Sequence, residues 1–171
     1  KPVRLQQALS EIADLAGSDL EMADILGRIH GVVGGLMYAE NFYIVLYDDV
    51  RDSMRFLYFA DRIDTYVAEP DRELHGADMP NSLTLALLRH GEPLIGCSED
   101  IRERLGIISD TAHGPDARDW LGVPMRRDDR VCGAVVVQSY DRAGVYGEEE
   151  RGLLVFVGHH ILTAQDRFRA R

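Results

Sequence analysis

Asn41-Phe42-Tyr43-Ile44-Val45-Leu46-Tyr47 is a run of aromatic and β-branched residues that ends on the acidic pair Asp48-Asp49. Such a run favours a pleated strand, and the acidic pair predicts a turn into a second β-rich run, Met54 to Ala60. Alternation along the first strand sends Tyr43, Val45 and Tyr47 to one side and Phe42, Ile44 and Leu46 to the other. Both sides carry apolar residues, so both faces of the sheet must be covered.

Working outward, Asp119 to Met125 and Val131 to Tyr140 form a second predicted hairpin around the charged turn Arg126 to Arg130. Near the N-terminus, Leu5, Leu9, Ile12 and Ala16 recur at helical spacing until Gly17. Ser18 with Glu21 has the form of a capping box, and Met22, Leu26, Ile29 and Val33 then share one helix face up to Gly34-Gly35. Residues 61–80 are mostly polar and contain Pro70, Gly76 and Pro80, the place for a functional loop or lid. A short helix is expected from Ser82 to His90 with Gly91 as its cap, then a brief strand at Pro93-Leu94-Ile95. A further helix, capped by Ser98, presents Ile101 and Leu105 and stops at Gly106, before a flexible segment from Ser109 to Ala117. The last helix starts near Glu148 and places Leu154, Val157, Ile161, Ala164 and Phe168 on one seam.

This order gives an α+β chain with a central antiparallel β-sheet. Long helices cover one face, and short helices and loops roof a pocket on the other. The whole of residues 1–171 is expected to be one domain, with 1–17 and 160–171 as helical connectors to neighbouring domains. In this order the segments resemble the GAF family. The resemblance is carried by Ala39-Glu40-Asn41-Phe42-Tyr43-Ile44-Val45-Leu46-Tyr47-Asp48, Gly91-Glu92-Pro93-Leu94, Trp120-Leu121-Gly122-Val123-Pro124, Gly133-Ala134-Val135-Val136-Val137-Gln138-Ser139-Tyr140 and Leu153-Leu154-Val155-Phe156-Val157. The chain looks most like the GAF sensor domains of bacterial diguanylate cyclases and sensor histidine kinases. It lacks the Asn-Lys-x-Phe-x-Asp-Glu signature of cyclic-nucleotide-binding members, and His113 has no cysteine neighbour of the kind that holds a bilin.

The later strand divides Ala134, Val136 and Gln138 from Val135, Val137 and Ser139. The side bearing Tyr43, Val45, Tyr47, Val136 and Gln138 is therefore assigned to a ligand pocket, which is where the resemblance also places one. The alternative is a filled core in which these polar groups bond one another. Tyr58 and Phe59 end the second strand beneath the 61–80 loop and are both carried as ligand-binding candidates, since the hairpin register decides which faces in. Trp120 could wall a ligand with an aromatic plane or serve only as core. His75 is a candidate lid donor or a solvated loop residue. His159 and His160, adjacent on a helix, point about 100° apart and make a poor metal pair. Glu99-Asp100 and Glu148-Glu149-Glu150 each open a predicted helix, where acidic groups complement the dipole.

Nineteen basic against twenty-nine acidic residues give a formal charge of -10, which repels phosphate backbones and anionic membrane surfaces. No nucleic acid and no direct membrane contact are expected, and no stretch approaches the ~18 apolar residues of a membrane-spanning helix. With no signal-peptide pattern at the start, a cytoplasmic location is expected. Cys97 and Cys132 have no CxxC partner and specify neither a metal site nor a disulfide framework. No catalytic constellation is present, so the domain is expected to be no enzyme, and the sequence names no cofactor. The leading expectation is a regulatory domain that binds a small molecule and signals through terminal helices paired in a homodimer. A ligand-independent dimerisation spacer is one alternative. The other is a divergent free methionine sulfoxide reductase using Cys97, which would lack the resolving cysteine of that class.

Overall fold

The structure, a computed structural model, describes residues 2–108 and 116–170. The deciding stretch is β1 (Asn41–Asp48), which pairs antiparallel with β2 (Ser53–Ala60) on one side and β6 (Arg130–Ser139) on the other. Outside these lie β5 (Asp119–Arg127), β4 (Leu94–Gly96) and the two-residue β3 (Leu74–His75). The six strands run in the order β3-β2-β1-β6-β5-β4.

Alternation sorts the side chains as the sequence implied. Phe42, Ile44, Leu121, Val123, Val135 and Val137 join one cluster with residues of α1 (Pro2–Ala16), α2 (Met22–Gly34) and α5 (Glu148–Arg169). In α5, Leu154, Val157 and Ile161 are completely buried, each contributing roughly 1.5–3 kcal/mol of apolar burial. Tyr43, Val45, Trp120, Ala134 and Val136 join a second cluster, across the sheet, with Leu83, Leu85, Leu87 and Leu88 of α3 (Leu83–His90) and Ile101 of α4 (Ser98–Leu105). Helix α3 starts on a side-chain cap from Ser82 to the Leu85 amide and ends on Gly91, whose φ of 84° is a conformation open to glycine at no steric cost.

Two local expectations are corrected. The capping box at Ser18 is absent: the Ser18 hydroxyl donates to the Leu15 carbonyl at 2.8 Å and closes the end of α1 instead, so α2 begins at Met22 without a side-chain cap. Ser98 does not cap α4 either. It sits in the first turn, behind Cys97, and its oxygen accepts from the Ala117 amide at 2.9 Å, tying α4 to the approach of β5. The 61–80 connection is not wholly irregular. Its second half pairs as β3 with Ser53 and Met54 and turns once at Gly76–Asp78, held by an Arg51–Glu73 ion pair of 2.7 Å. The flexible segment expected at 109–117 lies largely outside the described residues.

Candidate functional site

A β-bulge determines which side chains reach the space beneath α3. Tyr43 pairs with Phe59 and Ile44 with Tyr58, but Val45 pairs with Phe56, so Leu57 is the extra residue on β2. The bulge reverses the alternation midway along the strand. Phe56 and Phe59, three apart, therefore end up on the same side as Tyr43, with ring centroids 5.6 Å from it in both cases. Tyr66, from the loop after β2, closes edge-on over Phe56 and Phe59.

This aromatic wall bounds a cavity of about 440 Å³ between the sheet, the segment Asp78–Thr84, and the start of α4. Trp120 and Gln138 form the sheet side, and Leu83, Thr84, Ser98 and Arg102 stand on the helix side. The volume suits a metabolite-sized molecule. Tyr43 links the sheet to the helix side of the site: its hydroxyl lies 2.6 Å from Thr84 Oγ1, and burial pushes its pKa up to about 12, against the opposing bond to Thr84. At the other end the Tyr140 hydroxyl donates to Asp61 at 2.7 Å, and Gln138 reaches the same carboxylate at 3.4 Å. Burial, followed by Asp61, raises the Tyr140 pKa, so the phenol stays a donor.

Of the residues expected from sequence, Tyr43, Phe59, Trp120 and Gln138 line this cavity. Val45 and Val136 face the same side but are completely buried in the cluster beneath α3 and do not reach the space. Tyr47 also faces that way, but its position near the end of β1 carries it past the cavity, and its hydroxyl donates to Asp52 at 2.5 Å. Its pKa is pushed up to about 12, by desolvation first and then by Asp52. Tyr58 is on the opposite face. Its hydroxyl meets His30 Nδ1 at 2.7 Å, while His30 Nε2 donates to the Ala39 carbonyl at 2.5 Å.

Phe56, Thr84, Tyr140 and Arg102 were not anticipated. The bulge hid Phe56, because strict alternation gives it the wrong face. Arg102 was legible in principle: Ser98, Ile101, Arg102 and Leu105 fall on one helical face, and Arg102 is 6% exposed. His75 is exposed, stands 3.6 Å from Glu73, and does not line the cavity. Glu99 and Asp100 lie in the first turn of α4, and Glu148 to Glu150 in that of α5. His160 packs on Phe156 and, chiefly through desolvation, has a lowered pKa. Among the described residues no group of three or more His, Cys, Asp or Glu is placed to hold a metal ion. Cys97 and Cys132 are both free thiols. Cys132 packs with the cluster under the long helices, whereas Cys97 stands at the start of α4.

A family model described as GAF domain matches residues 5–164. Among solved structures, the GAF domain of a phosphoenolpyruvate-protein phosphotransferase from Coxiella burnetii is similar at 16% identity, covering 98% of this chain and 96% of that one, with a TM-score of 0.75. The corresponding GAF domain from Acinetobacter is 17% identical over 97% and 95% of the two chains, with a TM-score of 0.72. The free methionine-R-sulfoxide reductase of Neisseria meningitidis, solved with its substrate, is 14% identical over 96% and 88%, with a TM-score of 0.59. At these identities the likeness is one of fold. No curated protein matches the chain. Among the described residues no helix is long and apolar enough to cross a membrane.

Proposed function

Because the chain belongs to the GAF domain family, whose members are commonly sensory or regulatory, we propose that it is a regulatory domain of a cytoplasmic bacterial signalling protein that binds a small molecule in the cavity beneath α3. The observation that carries this reading is the arrangement of Tyr43, Phe56, Phe59 and Trp120 as an aromatic wall facing the polar groups of Thr84, Ser98 and Gln138. Apolar lining with a few convergent polar groups is the ordinary composition of a ligand site.

The route to an output is short. Tyr43 faces the cavity while its neighbours Phe42 and Ile44 pack under α1, α2 and α5, so a displacement of β1 by an occupant is felt on both sides of one strand. Helices α1 and α5 pack on one another, and in this proposal they pair with those of a second copy and pass the change to a diguanylate cyclase or histidine kinase output. The domain itself has no catalytic role. Reduction of a sulfoxide at the expense of a thiol pair is disfavoured, because Cys132 belongs to the other face of the sheet and cannot close a disulfide with Cys97.

Native mass spectrometry of the freshly purified chain tests this reading. A dimer that retains a reproducible extra mass is the expected result. A chain that carries no retained molecule, and is stabilised by no compound of a metabolite library, contradicts it and favours a ligand-independent spacer.

A further inference from the structure

Arg102 is the single basic side chain among the described residues lining the cavity. It is 6% exposed, and a guanidinium stays charged under all ordinary conditions. Its Nη1 donates to the Asn81 carbonyl at 2.7 Å, while its Nε is buried and has no hydrogen-bond partner among the described residues. No carboxylate among the described residues forms an ion pair with it. A largely buried guanidinium whose one hydrogen bond among the described residues goes to a neutral carbonyl, with Nε left unpaired, carries a desolvation cost that falls when an anion arrives. Four exposed arginines differ in this respect, since Arg51, Arg89, Arg127 and Arg130 all have carboxylate partners at the surface, whereas the carbonyl-bonded Arg55 and Arg104 are not buried as Arg102 is.

From this geometry we infer that Arg102 is the anchor for a ligand bearing a single anionic group, a carboxylate or a phosphate monoester, on a flat apolar body. The inference rests on the receptor reading above and adds the chemical class. The aromatic wall of Tyr43, Phe56, Phe59 and Trp120 receives the body. Asp64, Asp78 and Asp116, all exposed carboxylates of the lining, disfavour a polyanion such as a nucleoside triphosphate relative to a ligand with one anionic group. A planar, forked guanidinium suits either anionic group.

The test compares phenylacetate and phenyl phosphate with neutral phenylacetamide by calorimetry on the full chain. The expected result is that one or both anions bind at least about tenfold more tightly than the amide, with the better anion naming the group. Arg102→Met should abolish that preference with at most a small fall in the thermal midpoint, because loss of the bond to the Asn81 carbonyl is offset by removal of a buried, unpaired charge. Arg102→Lys, which keeps the charge but not the fork, should retain part of it. Equal binding of acid and amide by the wild-type chain overturns the anion anchor and leaves the receptor reading standing. Failure of all three compounds to bind also overturns it, and the receptor reading is then decided separately by the retained mass in the native spectrum. A sharp loss of thermal stability in Arg102→Met marks a structural arginine and likewise overturns the proposal.

Discussion

The Tyr43 hydroxyl and Thr84 Oγ1, 2.6 Å apart and both buried, join the middle of the sheet to the first turn of α3. Forty-one residues separate them in sequence, and the bond forms one edge of the cavity. Both also border the cavity, so a partner left by a substitution is only partly rehydrated there. Tyr43→Phe and Thr84→Val are each expected to lower stability by about 1 kcal/mol, and the double variant to cost less than the sum. Urea denaturation of the four chains measures the coupling. Strict additivity would mean that the two hydroxyls do not bond.

Gly122 lies where α3 and the sole tryptophan converge. A Cβ there would fall 2.5 Å from Trp120 Cη2 and 2.7 Å from Leu87 Cδ2. Gly122→Ala is therefore expected to cost about 1–3 kcal/mol and to shift the tryptophan emission, because the indole must move. Denaturation followed by fluorescence checks both. An unaltered spectrum with unaltered stability would contradict this packing.

Tyr58 and Phe59 are adjacent yet belong to opposite faces of β2. Tyr58→Phe should leave ligand binding unchanged and lower stability by about 1 kcal/mol, through the lost bond to His30. Phe59→Leu should weaken binding of whatever occupies the cavity, since it removes part of the aromatic wall. Binding isotherms for the two variants decide the assignment, and the reverse pattern would place the site on the helix face.

Alkaline titration reports on the same geometry. The Tyr43 and Tyr47 phenols are each raised from an ordinary value of about 10 to about 12, mainly by desolvation. With the folded pKa above the unfolded one, the contribution of these phenols to stability is fully present below pH ~10, where both states hold the proton. Between about 10 and 12 the unfolded chain releases protons that the folded chain retains, so stability falls as pH rises through that window. Stability measured across that interval should decline in wild type, and less steeply in Tyr43→Phe. A flat profile would mean that the Tyr43 ring is hydrated.

Much of the architecture could be read from apolar periodicity alone. The alternation of Phe42 to Tyr47 assigned each sheet face correctly, and the seam of Leu154, Val157 and Ile161 located the buried side of α5. What failed was short-range polar chemistry. Ser18 and Ser98 both had cap-like spacing, but each found a nearer carbonyl or a distant amide, a choice made by tertiary contacts. The candidate site was only half legible because one unpaired residue, Leu57, reverses the alternation of β2, and no local pattern announces a bulge. Arg102 stands in a helix rich in charge, SEDIRERL, which masks its inward phase beside Ile101 and Leu105.

The central claim is that a small molecule enters the cavity walled by Trp120, and the single indole N–H signal in a proton–nitrogen NMR spectrum tests it most directly. A metabolite library should contain a compound that shifts this signal together with the Thr84 and Gln138 amides, with any change in α1, α2 and α5 smaller than theirs. If no compound moves the indole, or if binders shift only residues of α1 and α2, the cavity beneath α3 is not the ligand site.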